Sequence, residues 1–142
     1  TLGFHAEHLA SLKYGNAGRL LAFKLNGELT LPRLDLLEKI IPEQPLLQST
    51  EFQISRGTEL YGEYCAFCHG TAVRAGPALP DLRMMSNDSH KLFKEIVYEG
   101  ILSENGMSSF SDVLSENDVE SIYHYIVKTA SVDRQIQLEQ NN

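Results

Sequence analysis

The feature that most constrains this chain is a five-residue run, C-A-F-C-H, at Cys65–His69. Its two cysteines are the only ones among 142 residues, so no disulfide framework can hold the fold together. Two thiols three positions apart instead indicate a metal ligand, a redox pair or a covalently attached cofactor. A chain of this length has room for one small domain, which must be built around that pair.

The order C-x-x-C-H is typical of a c-type haem attachment site. Residues at i and i+3 of a helix share one face, so the sulfurs of Cys65 and Cys68 can reach two vinyl groups on one edge of a porphyrin. His69 follows at once and can turn its imidazole toward the iron. We therefore interpret Cys65 and Cys68 as attachment sites for one haem c, and His69 as its proximal iron ligand.

The iron of such a haem needs a sixth ligand, and a thioether is a common one. We assign Met107, which lies in the polar loop Gly106–Phe110 and has little core to fill there. The adjacent glycine permits close approach of the backbone to the ring. The alternatives that stay open are packing for Met107, ligation by Met84 or Met85, and a bis-histidine site through His90 or His124. His124 lies one residue from an apolar helical stripe, so we expect it at the surface.

Ligation by histidine and methionine raises the reduction potential relative to two imidazoles and leaves no open coordination position. This pattern favours a single-electron carrier over an oxygenase or a peroxidase, and we predict no enzymatic activity for the chain itself. A thiol-disulfide oxidoreductase would need a βαβ setting around the cysteines, and a zinc module would need a second pair of ligands. The sequence indicates neither, and both remain the rival interpretations.

Apolar residues recur at helical spacing in three stretches, and each stretch has a candidate cap. The polar residues from Gln135 onward are expected to fray. The predicted helices run from Ser49 or Thr50 into Cys65, from near Ser89 over Lys91–Glu99 to Gly100, and from Ser115 to about Ala130.

The N-terminal part has a different periodicity. Side chains alternate over Arg19–Leu25, Asn26 and Gly27 follow, and a second short apolar stretch ends at Pro32, which predicts a β-hairpin with a type I′ turn. A lone hairpin is marginal in water, so we interpret the strands as part of a larger β structure. Between residues 34 and 48, apolar side chains up to Ile41 combined with prolines at 42 and 45 predict one short helical turn followed by an extended linker.

The formal charge of −7 is concentrated in residues 51–130, which carry twelve acids and six bases. An acidic excess excludes a nucleic-acid binder that tracks phosphates. No apolar run approaches the roughly 18 residues of a spanning helix. The chain lacks an initiator methionine, so we expect that it was processed or cut from something longer. Either the acidic side chains steer a basic partner or they only solvate helix faces; they are Glu95, Glu99, Glu116, Asp118 and Glu120.

Several motifs follow one another in a fixed order over residues 51–130: Gly57, Tyr61, Cys65–Gly70, Gly76–Pro77, Gly106–Met107 and the C-terminal helix. In this order they resemble the class I cytochrome c family. The resemblance implies a mainly α fold, with helices around one covalently bound haem, here preceded by a short β-hairpin and a linker. It also implies that the carbonyl of Pro77 accepts a hydrogen bond from the proximal imidazole.

Three segments narrow the resemblance to the cytochrome domain at the C-terminus of pyrroloquinoline-quinone (PQQ) alcohol dehydrogenases. They are Leu79–Arg83, Gly106–Phe110 and Leu114–Glu120, and Gly18–Leu25 similarly resembles the closing strands of the β-propeller of those enzymes. Leu79 and Arg83 then become cofactor-binding candidates, Arg83 through a haem propionate. The resemblance implies a fused or cognate PQQ-dependent dehydrogenase as electron donor, a redox protein or oxidase as acceptor, and a periplasmic location in a bacterium.

These patterns divide the chain into four parts. Residues 1–33 form the hairpin segment, 34–50 the linker, 51–130 the cytochrome c domain and 131–142 a polar tail. The propeller parts that would bind quinone and alcohol are missing, so no alcohol oxidation is assigned to this chain. The alternative within the haem class is a stand-alone soluble cytochrome c carrier.

Overall fold

A computed structural model describes residues 23–30, 40–75 and 79–140. Within these ranges the chain is mostly helical and forms no β-strand, as the predicted mainly α fold requires. The α-helices are α1 (Glu51–Tyr64), α2 (Ala66–His69), α3 (Asn87–Lys91) and α4 (Glu116–Gln140). A π-helical turn covers Glu95–Glu99, and 3₁₀ turns cover Thr71–Val73, Leu82–Met84 and Ser103–Asn105.

Helix α1 begins where its cap predicts. The Thr50 hydroxyl accepts from the backbone N–H of Gln53 at 3.2 Å, and the Gln53 side-chain oxygen accepts from the backbone N–H of Thr50 at 3.0 Å. This reciprocal capping box satisfies two N–H groups that the first helical turn leaves free. The helix then delivers the chain through Cys65 into α2, so the start of α1 sets the position of the cysteine pair.

Helices α1 and α4 cross at a glycine. A Cβ atom on Gly57 would lie 2.0 Å from the carbonyl oxygen of Ser121, so the two backbones can approach this closely only where the side chain is hydrogen. The Tyr61 and Tyr125 rings pack beside the crossing, with centroids 5.2 Å apart. The core spreads from this point, and its fully buried side chains are Tyr61, Val73, Val119, Ile122 and Ile126.

Helix α4 begins at the predicted cap and ends later than predicted. The Ser115 backbone N–H donates to Asp118 Oδ2 at 3.1 Å, and the Asp118 backbone N–H donates to Ser115 Oγ at 3.2 Å. The predicted polar tail beyond Ala130 is instead helical through Gln140. Asp133 in this extension is buried and forms ion pairs, and long-range contacts of this kind explain why the helix does not stop where its apolar stripe weakens.

The helix predicted over Lys91–Glu99 begins earlier and is less regular. Its cap is Ser86, whose Oγ accepts from the Ser89 N–H at 3.1 Å. Helix α3 follows. After a break at Leu92 the helical region continues and ends with the π-helical turn. The predicted end at Gly100 is confirmed.

The predicted β-hairpin is not supported. Residues 23–30 form one turn, in which the Gly27 N–H donates to the Lys24 carbonyl at 3.0 Å and Asn26 has a φ of 58°. A type I′ turn needs positive φ at two consecutive positions, and here one has it. Phe23, Leu25 and Leu29 are 91%, 88% and 88% exposed, so strands here would bury little apolar surface. The remaining hairpin residues lie outside the described ranges.

The linker predicted before residue 51 is extended but packed. Residues 40–50 contain no helix, yet Ile41 and Gln44 are buried. The Ile41 N–H donates to Gln137 Oε1 at 2.9 Å, and Gln44 Nε2 donates to the Arg83 carbonyl at 3.2 Å. The segment is therefore fixed to the helical part of the chain at two points.

Candidate functional site

A mostly apolar cavity of about 520 Å³ lies between α2, the segment 79–86, the π-helical turn, the loop 102–107 and α4. Five residues singled out from the sequence line it together: Cys65, Cys68, His69, Leu79 and Met107. Its apolar wall comes from Leu82, Phe93, Ile96, Val97, Ile122 and Ile126. Ligand cavities are commonly apolar with a few convergent polar groups, and the nitrogen and sulfur atoms here are those groups.

The structure fixes the tautomer of His69. The imidazole is buried, and its Nδ1 lies 3.1 Å from the carbonyl oxygen of Pro80. A carbonyl can only accept, so Nδ1 carries the proton and Nε2 keeps its lone pair. That is the tautomer of a histidine that ligates iron through Nε2. Pro77, the predicted acceptor, lies outside the described residues, and Pro80 occupies the acceptor position in the structure.

Tyr61 holds the turn that carries His69. Its hydroxyl donates to the Gly70 carbonyl at 2.8 Å and lies 3.2 Å from the His69 carbonyl. Burial raises the pKa of Tyr61, so the hydroxyl stays protonated and remains a donor. Sequence reasoning placed Tyr61 in the family pattern without a role, and this contact supplies one.

The two cysteines differ in environment and are both free thiols. Cys65 is buried and Cys68 is exposed. Burial, together with the neighbouring Cys68, raises the pKa of Cys65 to about 11. A thiol-disulfide redox centre needs a thiolate with a lowered pKa, so the environment of Cys65 argues against that rival. Among the described residues, no three His, Cys, Asp or Glu side chains are grouped so that they could hold a metal ion.

Met107 enters the cavity from a loop that is tied to the π-helical turn. Its N–H donates to the Leu102 carbonyl at 3.2 Å, and the Phe110 N–H donates to the Val97 carbonyl at 2.9 Å. Gly106 has a φ of 91°, a conformation that favours glycine. Met84 and Met85 line the same cavity from the neighbouring 3₁₀ turn, so the choice of Met107 as ligand stays a prediction.

The two histidines considered as alternative ligands lie elsewhere. Neither belongs to the cavity lining in the described part of the chain. His90 Nδ1 lies 3.1 Å from the Tyr123 hydroxyl, and burial lowers the pKa of His90. His124, expected at the surface, is buried, with Nδ1 2.6 Å from Ser49 Oγ. The structure therefore gives no support to a bis-histidine site.

Arg83 has protein partners. Its guanidinium pairs with Asp81 at 2.6 Å and with Asp133 at 3.0 Å. Burial alone would lower the pKa of Arg83, but these hydrogen bonds and charges raise it. Arg83 is absent from the described cavity lining, so its predicted contact with a propionate stays a prediction. Sequence reasoning missed Asp133 and its second partner, Arg74, because nothing local marks a pair 59 positions apart.

Comparison with known proteins identifies the family. Residues 52–126, more than half of the chain, match the family model described as cytochrome c oxidase, cbb3-type, subunit III. The chain belongs to this cytochrome c family. Its cofactor is a covalently bound haem c. The cavity, the two free thiols at i and i+3, and the His69 tautomer fit that group.

The chain is similar to parts of much longer proteins. It is 37% identical over 129 residues to quinohemoprotein alcohol dehydrogenase ADH IIB of Pseudomonas putida, which covers 88% of this chain and 18% of that protein. The identity to ADH-IIG of the same species is 34%, over 79% of this chain and 15% of the relative. A solved ADHIIG structure superposes with a TM-score of 0.63 at 33% identity, over 80% of this chain and 16% of that chain.

These matches place the similarity in the C-terminal cytochrome c regions of quinohemoprotein alcohol dehydrogenases. The chain spans less than a fifth of the length of those relatives. In the described ranges, no helix is long and apolar enough to cross a membrane.

Proposed function

We propose that this cytochrome c domain accepts single electrons from a PQQ-dependent dehydrogenase, fused or cognate, and passes them to a redox protein or oxidase in the bacterial periplasm. The observation that carries the proposal is the convergence of Cys65, Cys68, His69 and Met107 on one apolar cavity. The haem iron, when bound, supplies reversible one-electron chemistry at a potential set by its axial ligands and surroundings.

Each of these residues then has a distinct task. Cys65 and Cys68 would attach the porphyrin through thioether bonds, and His69 would bind the iron through Nε2 while its Nδ1–H donates to Pro80. Met107 would be the sixth ligand, which would raise the potential and leave no position for oxygen or substrate. Leu79 would pack against the haem from the cavity wall, and Arg83 would pair with a propionate.

The donor assignment is supported by the relatives, which are named as quinohemoprotein alcohol dehydrogenases and are far longer than this chain. Residues 1–33 are proposed to end the β-propeller of such an enzyme, 34–50 to connect it, and 51–130 to form the electron-transfer domain, which α4 extends into 131–142. Alcohol oxidation belongs to the propeller, so this domain itself has no catalytic residue.

The acidic surface influences which acceptor protein binds. Several of its carboxylates already have local partners, since Lys94 pairs with Glu116 at 2.9 Å and Arg56 with Asp118 at 3.1 Å. The remaining acidic excess of residues 51–130 favours a basic acceptor through long-range attraction. Electron-transfer rates to that acceptor should therefore fall as the salt concentration rises.

The donor is tested with the full-length protein, isolated from the periplasmic fraction and supplied with PQQ. Adding a primary alcohol under anaerobic conditions should reduce the haem, seen as a shift of its Soret band in stopped flow. The control is a Cys65→Ala/Cys68→Ala variant, which should still pass electrons from alcohol to a dye but not to a protein acceptor. Alcohol turnover with a haem that stays oxidised would contradict the donor assignment. A full-length protein without alcohol turnover, whose haem is not reduced by an added PQQ-dependent dehydrogenase, would favour the stand-alone carrier.

A further inference from the structure

Asp133 is a buried anion shared by two arginines. Its side chain lies on the part of α4 beyond Ala130 and is 8% exposed. Arg74 donates to both carboxylate oxygens, from Nε at 2.8 Å and from NH2 at 2.7 Å, and Arg83 NH1 donates at 3.0 Å. A bidentate pair of this kind fixes geometry as well as charge, and removing one partner leaves the other charge buried without compensation.

The second arginine joins this cluster to the axial histidine. Arg83 also holds Asp81, with Nε 3.0 Å from Oδ1 and NH2 2.6 Å from Oδ2. Asp81 directly follows Pro80, whose carbonyl lies 3.1 Å from Nδ1 of His69. Asp133 therefore binds Arg83, and Arg83 binds Asp81, the residue next to Pro80. This path connects the last part of α4 with the hydrogen bond that orients the His69 ring.

Arg74 directly follows the strained turn Thr71–Val73, which comes soon after His69 in the chain. Ala72 and Val73 have φ values of 54° and 59°, which are unfavourable for non-glycine residues and most of all for a β-branched one. Such a conformation persists where the surroundings hold it in place. Val73 is fully buried, and Arg74 follows it directly, so the bond from Arg74 to Asp133 restrains this turn.

We propose that Asp133 is a positioning residue: through Arg83 it holds residues 79–83, and through Arg74 it holds the turn 71–73, so that the Pro80 carbonyl stays on His69 Nδ1. This inference rests on the proposed role of His69 as the axial ligand. A hydrogen bond from Nδ1–H to a carbonyl makes the imidazole a stronger donor to iron and favours the oxidised state. Loss of Asp133 should therefore raise the reduction potential.

Charge alone would act differently, and the difference gives a test. Asp133→Asn removes a negative charge, which by itself raises the potential, and Arg74→Gln removes a positive charge, which by itself lowers it. If Asp133 and Arg74 act by anchoring the backbone around His69 and Pro80, both substitutions weaken the hydrogen bond between Pro80 and His69, and both raise the potential. The sign of the Arg74→Gln shift therefore separates anchoring from simple electrostatics.

The experiment uses the haem-loaded chain and a chemical redox titration, without any dehydrogenase. Proton NMR of the reduced protein also measures exchange of the His69 Nδ1 proton. Asp133→Asn and Arg74→Gln should both raise the potential and speed this exchange roughly tenfold, because local opening becomes easier. Asp133→Glu, which keeps the charge, should recover part of both effects. Glu116→Gln is the control. It also removes a carboxylate from α4 and breaks an ion pair, the one with Lys94, but Glu116 lies at the start of this helix and Asp133 lies near its end.

A lowered potential in Arg74→Gln, or an unchanged exchange rate in Asp133→Asn, would overturn the inference. If Asp133→Asn fails to load haem, Arg74→Gln and Arg83→Gln decide the outcome by the same two measurements. The variants could raise the potential and speed the proton exchange as expected, while no alcohol dehydrogenase reduces the wild-type haem. That result would support this inference and contradict only the proposed donor. A wild-type chain that takes up no haem would instead remove the ligand assignment itself.

Discussion

The two sides of the cavity are supported in different ways. On the His69 side, a buried tyrosine hydroxyl, the Pro80 carbonyl and the ion pairs of Asp133 hold the backbone and the ring. On the Met107 side, residues 101–106 are all exposed, and backbone hydrogen bonds hold the loop. Buried polar contacts that restrain a ring resist opening more than a solvated loop does.

This difference suggests a division of labour between the two axial positions. The His69 side should decide whether a holoprotein forms, whereas the Met107 side should adjust its redox properties and open first under stress. Substitutions on the two sides can therefore be compared directly.

The largest effect is expected for His69→Ala. If His69 is the proximal ligand, as proposed, its loss leaves the iron without its rigidly held ligand, so stable holoprotein should not accumulate. Haem per polypeptide, measured from absorption after purification from the periplasm, should be close to zero, with Met107→Ala purified in parallel as the control. A normal haem content in the His69→Ala protein would contradict the assignment of the two sides.

Met107→Ala should keep the covalent haem and change its properties. If Met107 is the sixth ligand, as proposed, its removal should lower the reduction potential and abolish the weak sulfur-to-iron band near the red end of the spectrum. Met84→Ala and Met85→Ala are the matched controls, since both residues line the same cavity. If the spectrum of Met107→Ala is unchanged and the band is lost in one of the two controls, the ligand is Met84 or Met85 instead.

Gly57→Ala tests the helix crossing behind the His69 side. The added Cβ would meet the Ser121 carbonyl at 2.0 Å, and a backbone atom cannot turn away, so α1 must shift from α4. We expect a loss of about 2 kcal/mol in the free energy of unfolding, measured by urea denaturation of the holoprotein. Gly62→Ala, on the same helix with open space around it, should instead gain about 0.5–1 kcal/mol. Equal effects at both glycines would refute the close crossing.

Gly106→Ala should have the smallest effect. A Cβ there meets nothing within 4 Å, so the cost comes from the φ of 91° alone, about 1 kcal/mol. The same urea titration should show this loss, and the band of the methionine ligand should weaken at lower temperature than in the wild type. A loss larger than that of Gly57→Ala would reverse the comparison between the two sides.

The sequence was sufficient where one short segment holds the whole signal. The caps are local patterns: Ser115 was predicted directly, and Thr50 is one of the two residues predicted for the first helix. The run Cys65–His69 is also local, and it predicted the haem c that the family match supports. The start of α3 was not predicted correctly, because the run S-N-D-S contains two serines that could cap a helix. Ser86 accepts from Ser89, a choice that depends on the following chain.

The parts that failed depend on contacts between distant segments. Local polarity predicted a fraying end, whereas Asp133 is held by Arg74 and Arg83, which lie 59 and 50 positions away. His124 looked like a surface residue for the same reason, and its burial against Ser49 spans 75 positions. The N-terminal alternation predicted strands, but residues 23–30 have no partner surface among the described residues that would order them.

The most direct test of the central claim is the mass of the intact chain together with that of its Cys65–His69 peptide. The protein isolated from a periplasm that attaches haem should exceed its polypeptide mass by one iron porphyrin, carried on that peptide through both sulfurs. A chain of polypeptide mass alone, with free thiols or a disulfide between Cys65 and Cys68, would contradict the assignment of a haem-carrying electron-transfer domain.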